Sequence, residues 1–194
     1  MSRQIWRAGT LLSPVPPALV TCGGGDLPEN VLTVAWTGIL NSDPAKTYVS
    51  VRPSRFSHEL IKQSGEFVIN VTPSKLVRAA DKAGVITGRG IDKFEECGLC
   101  KTPSVSVACP TLADCPIALE CRVTDVVSLG THDMFVADIV AVTVDDSVID
   151  DGGKLRIEKA GLMAYAHGTY FELGKKIGTF GFSVRKKKKA PRRK

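Results

Sequence analysis

Residues 117–144 read Ile117-Ala-Leu-Glu-Cys-Arg-Val-Thr-Asp-Val-Val-Ser-Leu-Gly-Thr-His-Asp-Met-Phe-Val-Ala-Asp-Ile-Val-Ala-Val-Thr-Val144, and this stretch decides the fold class. Its first arm alternates from Leu119 to Val123 in the period-2 pattern of a strand with one dry and one wet face, which turns Cys121 inward and Glu120 and Arg122 outward. The second arm, Met134 to Val144, is apolar at nearly every step apart from Asp138 and reads as a strand covered on both sides. Leu129-Gly-Thr-His-Asp133 between them makes the pair a hairpin.

Further β-branched runs lie outward from this hairpin, at Ala18–Cys22, Val31–Trp36, Thr47–Val51 and Phe67–Val71, separated by turn residues such as Cys22-Gly-Gly-Gly-Asp26. Helices are few. Ser57 to Ser64 opens on a candidate N-cap and stops at Gly65; Ser74 to Ala83 follows Thr72-Pro73 and stops at Gly84; a short turn from Asp92 to Cys97 stops at Gly98. Strands and helices do not alternate regularly, which argues against a doubly wound parallel sheet and for a barrel with helical covers.

The chain has 194 residues, 43% hydrophobic and 24% charged, the balance of a globular protein with a substantial core. Its formal charge of +6 is unevenly placed. Eight basic residues and no acidic one lie between Arg185 and Lys194, leaving 18 basic against 20 acidic side chains in the rest. The folded domain is therefore expected over residues 1–184, with 185–194 a basic, disordered tail. Such a tail would adhere to polyanions without reading sequence, and it lacks the aromatic interleaving of a stacking platform, so no specific nucleic-acid partner is expected. No apolar run is long enough for a membrane span and the first residues do not resemble a signal peptide, so the expected location is cytoplasmic. The six cysteines are read as mostly reduced. Cys97-Gly-Leu-Cys100 lacks the second pair a zinc ribbon needs, and no metal site is expected.

Dinucleotide G-x-G-x-x-G, P-loop, nucleophile-elbow and H-E-x-x-H motifs are all missing. The densest polar cluster is Ser50-Val-Arg-Pro-Ser-Arg-Phe-Ser-His58, a strand end running into a helix start. Helix N-terminal amides, hydroxyls and two guanidinium groups together suit a phosphate dianion, although the same cluster also reads as a capped helix with a solvated basic edge. A second loop, Thr87-Gly-Arg-Gly-Ile-Asp-Lys-Phe94, is glycine-rich and basic, and would close on the same anion with Arg89 and Lys93. Trp36-Thr37-Gly38, at a strand end, would border a flat heterocycle.

Taken in order, N-x-x-T-x-A-W-T-G from Asn30, S-V-R-P-x-R-F-S-H with E-F-V-I-N-V, G-R-x-x-D-K-F from Gly88, P-x-x-L-E-C from Pro116, L-G-T-H-D-M-F from Leu129 and G-x-Y-F-x-L-G from Gly168 resemble the flavin reductase-like family, and within it the flavoredoxin-like proteins. The resemblance implies a mainly β fold, a six-stranded antiparallel split β-barrel of the FMN-binding kind with a few helices, and a homodimer holding FMN at its interface. It implies that Asn30, Trp36 and Thr37 lie along the flavin, and that Arg52, Arg55, Ser57 and Lys93 bind its phosphate or ribityl chain; Ser50 and Arg89, from the two polar loops, complete the cofactor-binding candidates. His132 would sit near the isoalloxazine as the catalytic candidate, with Tyr165 or Tyr170 adding a contact from the same or the other subunit. His58 is read as a first-turn helix residue and His167 as a loop residue. The implied activity is transfer of hydride or electrons from NAD(P)H through FMN to an acceptor; the alternative is a flavoredoxin-type carrier reduced by a partner protein.

Overall fold

The computed structural model describes residues 2–185, and the lysine- and arginine-rich segment read as a tail lies, from residue 186 onward, outside the described residues. In chain order the strands are β1 (Ala18–Gly24), β2 (Leu27–Val34), β3 (Thr37–Ser42), β4 (Ala45–Val51), β5 (Glu66–Val71), β6 (Lys101–Thr102), β7 (Thr111–Leu112), β8 (Ile117–Ser128), β9 (Asp133–Val144), β10 (Met163–Ala166) and β11 (Thr169–Glu172). The α-helices are α1 (Phe56–Ser64), α2 (Val77–Val85) and α3 (Lys93–Cys97).

Seven strands form one antiparallel sheet in the order β2-β1-β5-β8-β9-β4-β3. The expectation of six strands is corrected by β3, whose Gly38, Asn41 and Ser42 give it weak strand character; it forms because β4 offers it an edge, in a register running from Thr37 opposite Val49 to Ser42 opposite Ala45. The edge strands β2 and β3 are consecutive in sequence, so the sheet must curl to bring its edges together. It does not close; the Ser50 amide donates to the Trp36 carbonyl at 2.9 Å, which carries the β3–β4 ladder one step into the β2–β3 link.

The curl produces a single inner core. Val20 and Cys22 of β1, Leu32 of β2, Val49 of β4, Phe67 of β5, Cys121 of β8 and Phe135 of β9 all meet there, plugged at one end by Leu60 and Ile61 of α1. The outer face of β1 and β2 carries a second core, in which Leu19 and Val31 pack against Ala80 and Ala83 of α2 and Phe94 of α3. β1 is therefore buried on both faces. β9 is not, contrary to its sequence pattern. Phe135 and Ala137 face the core, but Val140 and Val142 are 38% and 55% exposed, beyond Asp138, where the pairing with β4 ends and β9 becomes an edge.

Alternation in β8 also misassigns Glu120. It is fully buried and accepts hydrogen bonds from the amides of Val105 (2.9 Å) and Ser106 (2.6 Å), so the loop after β6 packs over what would otherwise be a wet face. A carboxylate bonded to two amides remains tolerable in the interior because its lone pairs are satisfied.

Helix α1 starts two residues earlier than expected: Arg55, not Ser57, is the N-cap, with no side-chain cap, and Ser57 is a buried first-turn residue. The end is as expected, at Gly65 in the left-handed region with φ 69°. In α2, preceded by a 3-10 turn at Ser74–Leu76, Gly84 lies inside the helix, which is capped at Ile86. For α3 both ends hold: Asp92 accepts from the amides of Phe94 and Glu95, and Gly98 closes it at φ 63°.

Candidate functional site

A cleft of about 220 Å³ opens where β2, the β4–α1 junction and the loop after α2 converge. Five of the residues singled out in the sequence line it: Asn30, Arg52, Arg55, Ser57 and Lys93. They come from four places in the chain, and each is positioned by its element. Asn30 sits opposite Cys22 in the β1–β2 ladder, points off the sheet, and donates from Nδ2 to Ser57 Oγ at 2.7 Å. This bond orients the serine hydroxyl in the first turn of α1. Gly88 makes the approach of the facing loop possible, since a Cβ there would stand 2.2 Å from Asn30 Oδ1.

The electrostatics of the cleft are one-sided. Elsewhere among the described residues, Lys46, Lys82, Arg89, Lys101, Arg122 and Arg156 each pair with a carboxylate. Arg52, Arg55 and Lys93 make no such pair among the described residues. Lys93 is 3% exposed, and its ammonium donates to the Ala83 carbonyl at 2.5 Å near the end of α2. Burial, reinforced by Arg55, pushes its pKa down to about 8, with the nearby Cys97 opposing the shift. The uncapped N-terminus of α1 adds its partial positive charge and unbonded amides to the same space. Buried positive charge without a carboxylate, beside hydroxyl and amide donors, is a donor set made for a dianion such as a phosphate monoester.

The remaining sequence candidates lie elsewhere. Arg89, in the loop after α2, leans onto α1, 3.5 Å from Glu59 and 5.0 Å over the Phe56 ring. Trp36 and Tyr165 line a second cavity of about 330 Å³ together with His167 and residues of the N-terminal segment. That segment is held by a reciprocal backbone pair between Val15 and Tyr165. Tyr170 stands 5.2 Å from Tyr165, ring to ring, and its hydroxyl donates to Asp81 at 3.3 Å. Burial, then the Asp81 charge, pushes that phenol up to about 12, so it stays a donor. Thr37 is buried, with its hydroxyl committed to the Tyr48 carbonyl at 2.6 Å, at the rim of an apolar cavity of about 320 Å³. Ser50 lies in β4 opposite Met134.

His132 occupies the β8–β9 turn, its Nδ1 2.9 Å from the Thr131 hydroxyl. Partial burial and the Arg52 guanidinium hold its pKa below the usual imidazole value, so the ring is mainly neutral at pH 7; His132 is not among the residues that line the cleft. Ser54 and Thr87, which belong to the two polar loops read from the sequence but were not named as contacts there, also line the cleft; sequence reasoning missed the Asn30–Ser57 contact, whose partners lie 27 positions apart. The glycine-rich character of residues 88–90 was the available signal for the close approach at Gly88.

Comparison with known proteins bears on the family and the fold. The family model described as flavin reductase like domain matches residues 11–174. An uncharacterized protein of Archaeoglobus fulgidus is 36% identical over 142 residues, covering 73% of this chain and 79% of that one. An NADPH-flavin oxidoreductase of Streptomyces viridifaciens is 30% identical over 129 residues, covering 66% and 65%. Among solved structures, flavoredoxin of Desulfovibrio vulgaris (Miyazaki F) superposes with a TM-score of 0.87 at 29% identity, over 95% of this chain and all of that one.

Proposed function

The chain belongs to the flavin reductase-like family, and from that membership we propose that it is an FMN-binding oxidoreductase that takes hydride from NAD(P)H and passes electrons to an acceptor. The observation that carries the proposal is the cleft itself: Arg52, Arg55 and the buried Lys93, without carboxylate partners among the described residues, meeting the uncapped start of α1. Flavin monophosphate brings a terminal dianion that this donor set fits, and when bound it supplies the hydride-accepting and electron-donating chemistry.

The protein's own contribution is then binding and placement. Lys93, Arg55 and the Ser57 hydroxyl neutralise and hold the phosphate, while Asn30 keeps Ser57 in position. Trp36 and Tyr165 offer aromatic surface for the ring, and the neutral His132 offers a hydrogen bond at the ring or at the incoming nicotinamide. The cleft and the aromatic cavity are separate in one chain. A homodimer would join them: Ile39, Leu40, Val140 and Val142 present an apolar outer surface on β3 and β9 that a second copy would cover. No helix among the described residues is long and apolar enough to cross a membrane; a cytoplasmic location belongs to the same proposal.

Likeness to flavoredoxin favours a second reading, in which the bound flavin is reduced by a partner protein and nicotinamide is not a substrate. One experiment separates the two. The protein is reconstituted with FMN and mixed anaerobically with NADH or NADPH in a stopped-flow spectrometer. Rapid bleaching of the flavin band supports the reductase; inertness with intact FMN binding supports the carrier; failure to bind FMN refutes both.

A further inference from the structure

Outside the cleft and the aromatic cavity, a half-hidden polar pair joins two elements that carry opposite ends of the candidate site. His58 follows Ser57 in the first turn of α1, and its side chain is 9% exposed. Its Nε2 lies 2.8 Å from Asp133 Oδ2. The hydrogen bond from His58, and a second from Ser128, hold the Asp133 carboxyl below its usual range, so it is an acceptor and the imidazole nitrogen is the donor. The imidazole is seated edge-on against Phe135, 5.1 Å between ring centres at 68°, which fixes its orientation.

Asp133 is the residue next to His132. Its backbone is pinned at the mouth of the hairpin, opposite Ser128 of β8 and Val51 of β4. The turn it closes is tight, with the Leu129 amide donating to the His132 carbonyl at 2.9 Å and Gly130 at φ 95°. Helix α1, by contrast, packs mainly on β1, β2 and β5 and has no ladder to hold it against this turn. Among the described residues the His58–Asp133 bond is the polar tie between them.

We propose that His58 and Asp133 form a positioning strut, which fixes the turn bearing His132 relative to the helix N-terminus that walls the anion cleft. The inference rests on the flavin reading for its consequence: the strut sets the geometry of hydride delivery, not the hold on the phosphate. Neither residue touches the cofactor's phosphate cleft, and both act through His132. Without the tie, α1 would meet this turn through packing alone and could shift against it, and a misplacement of about 1 Å from the reacting geometry is enough for a large loss of rate.

The test uses full-length protein with His58→Phe, Asp133→Ala, the double variant, and His58→Gln, whose amide retains a donor. Thermal melts establish that each is folded. FMN dissociation constants are expected to stay within about threefold of wild type, while the limiting rate of flavin reduction by NAD(P)H falls at least about tenfold in both single variants and no further in the double variant. His58→Gln is expected to recover most of the rate. A loss of FMN affinity parallel to the loss of rate would reduce the pair to ordinary fold stabilisation and overturn the strut. A second readout does not need flavin: the ring resonances of His132 should shift or broaden in His58→Phe and return toward wild type in His58→Gln. If they do not move, the strut is wrong. If they move but wild-type protein binds no FMN or ignores NAD(P)H, the strut stands and the functional reading fails.

Discussion

Replacing Lys93 with methionine separates what this residue does for the fold from what it does for a ligand, because the two effects have opposite signs. The side chain is 3% exposed and its pKa is pushed from 10.5 to about 8, chiefly by burial. At 1.36 kcal/mol per unit, carrying the charge at pH 7 costs the ligand-free fold on the order of 3 kcal/mol. The hydrogen bond to Ala83 returns about 1 kcal/mol of this. Lys93→Met fills the same volume without the charge. Ligand-free variant protein should therefore be at least as stable as wild type, gaining up to about 2 kcal/mol, or several degrees in melting temperature.

FMN binding should move the other way. Loss of a buried ammonium opposite a phosphate costs about 3 kcal/mol, roughly a hundredfold in Kd. Riboflavin, which has no phosphate, should bind both proteins alike. The pH dependence follows from the same group. The folded-state pKa lies below the unfolded value, so the unfolded chain binds more protons between about pH 8 and 10.5, and the burial penalty on ligand-free stability is relieved as pH rises through that window. Phosphate affinity, which needs the charged form, should decline above about pH 8 in wild type and show no such decline in Lys93→Met. Fluorescence titrations at a series of pH values measure this. Equal FMN affinities for the two proteins, or the same alkaline decline in both, would refute the assignment of Lys93 to the anion.

Three further outcomes are expected. Gly88→Ala should push Asn30 off Ser57, since the added Cβ would stand 2.2 Å from Asn30 Oδ1; FMN affinity measured by fluorescence should fall about tenfold, the worth of one lost charge-assisted contact. Glu120→Ala should strip the Val105 and Ser106 amides of their acceptor and lower stability by about 3 kcal/mol in urea unfolding, with FMN affinity of the remaining folded protein little changed. Of the six thiols, Cys22, Cys109, Cys115 and Cys121 are buried and burial holds their pKa values high, so a thiol reagent added to native protein at pH 8 should label Cys100 readily and Cys97 more slowly, with all six titrating only after unfolding.

Local signals in the sequence match the structure where the physics is local. The alternation around Cys121 and the turn at Leu129–Asp133 gave the central hairpin, and Asp92 and Gly98 gave both ends of α3. Features that depend on distant chain leave a weaker mark on the sequence. β3 has too little strand character to be found without its partner β4, and Ser57 resembles a cap until Asn30 is seen to claim its hydroxyl. Glu120 has the pattern of a wet position because the loop that buries it is fifteen residues away in sequence.

By itself, then, the sequence determined a β-rich chain, six ordered motifs of one family, and a body whose positive charge is locally concentrated rather than spread. Side-chain period and turn chemistry are properties of neighbouring residues, so they survive in the linear text. Only the tertiary structure decided that the sheet has seven strands and an open seam, that five of the candidate residues share one cleft while Trp36 and Tyr165 share another, and that His58 reaches Asp133. Those facts arise from the curl of the sheet, which brings β2 to the β4–α1 junction, as in the 27 positions between Asn30 and Ser57, and no local pattern encodes the angle at which a sheet curls.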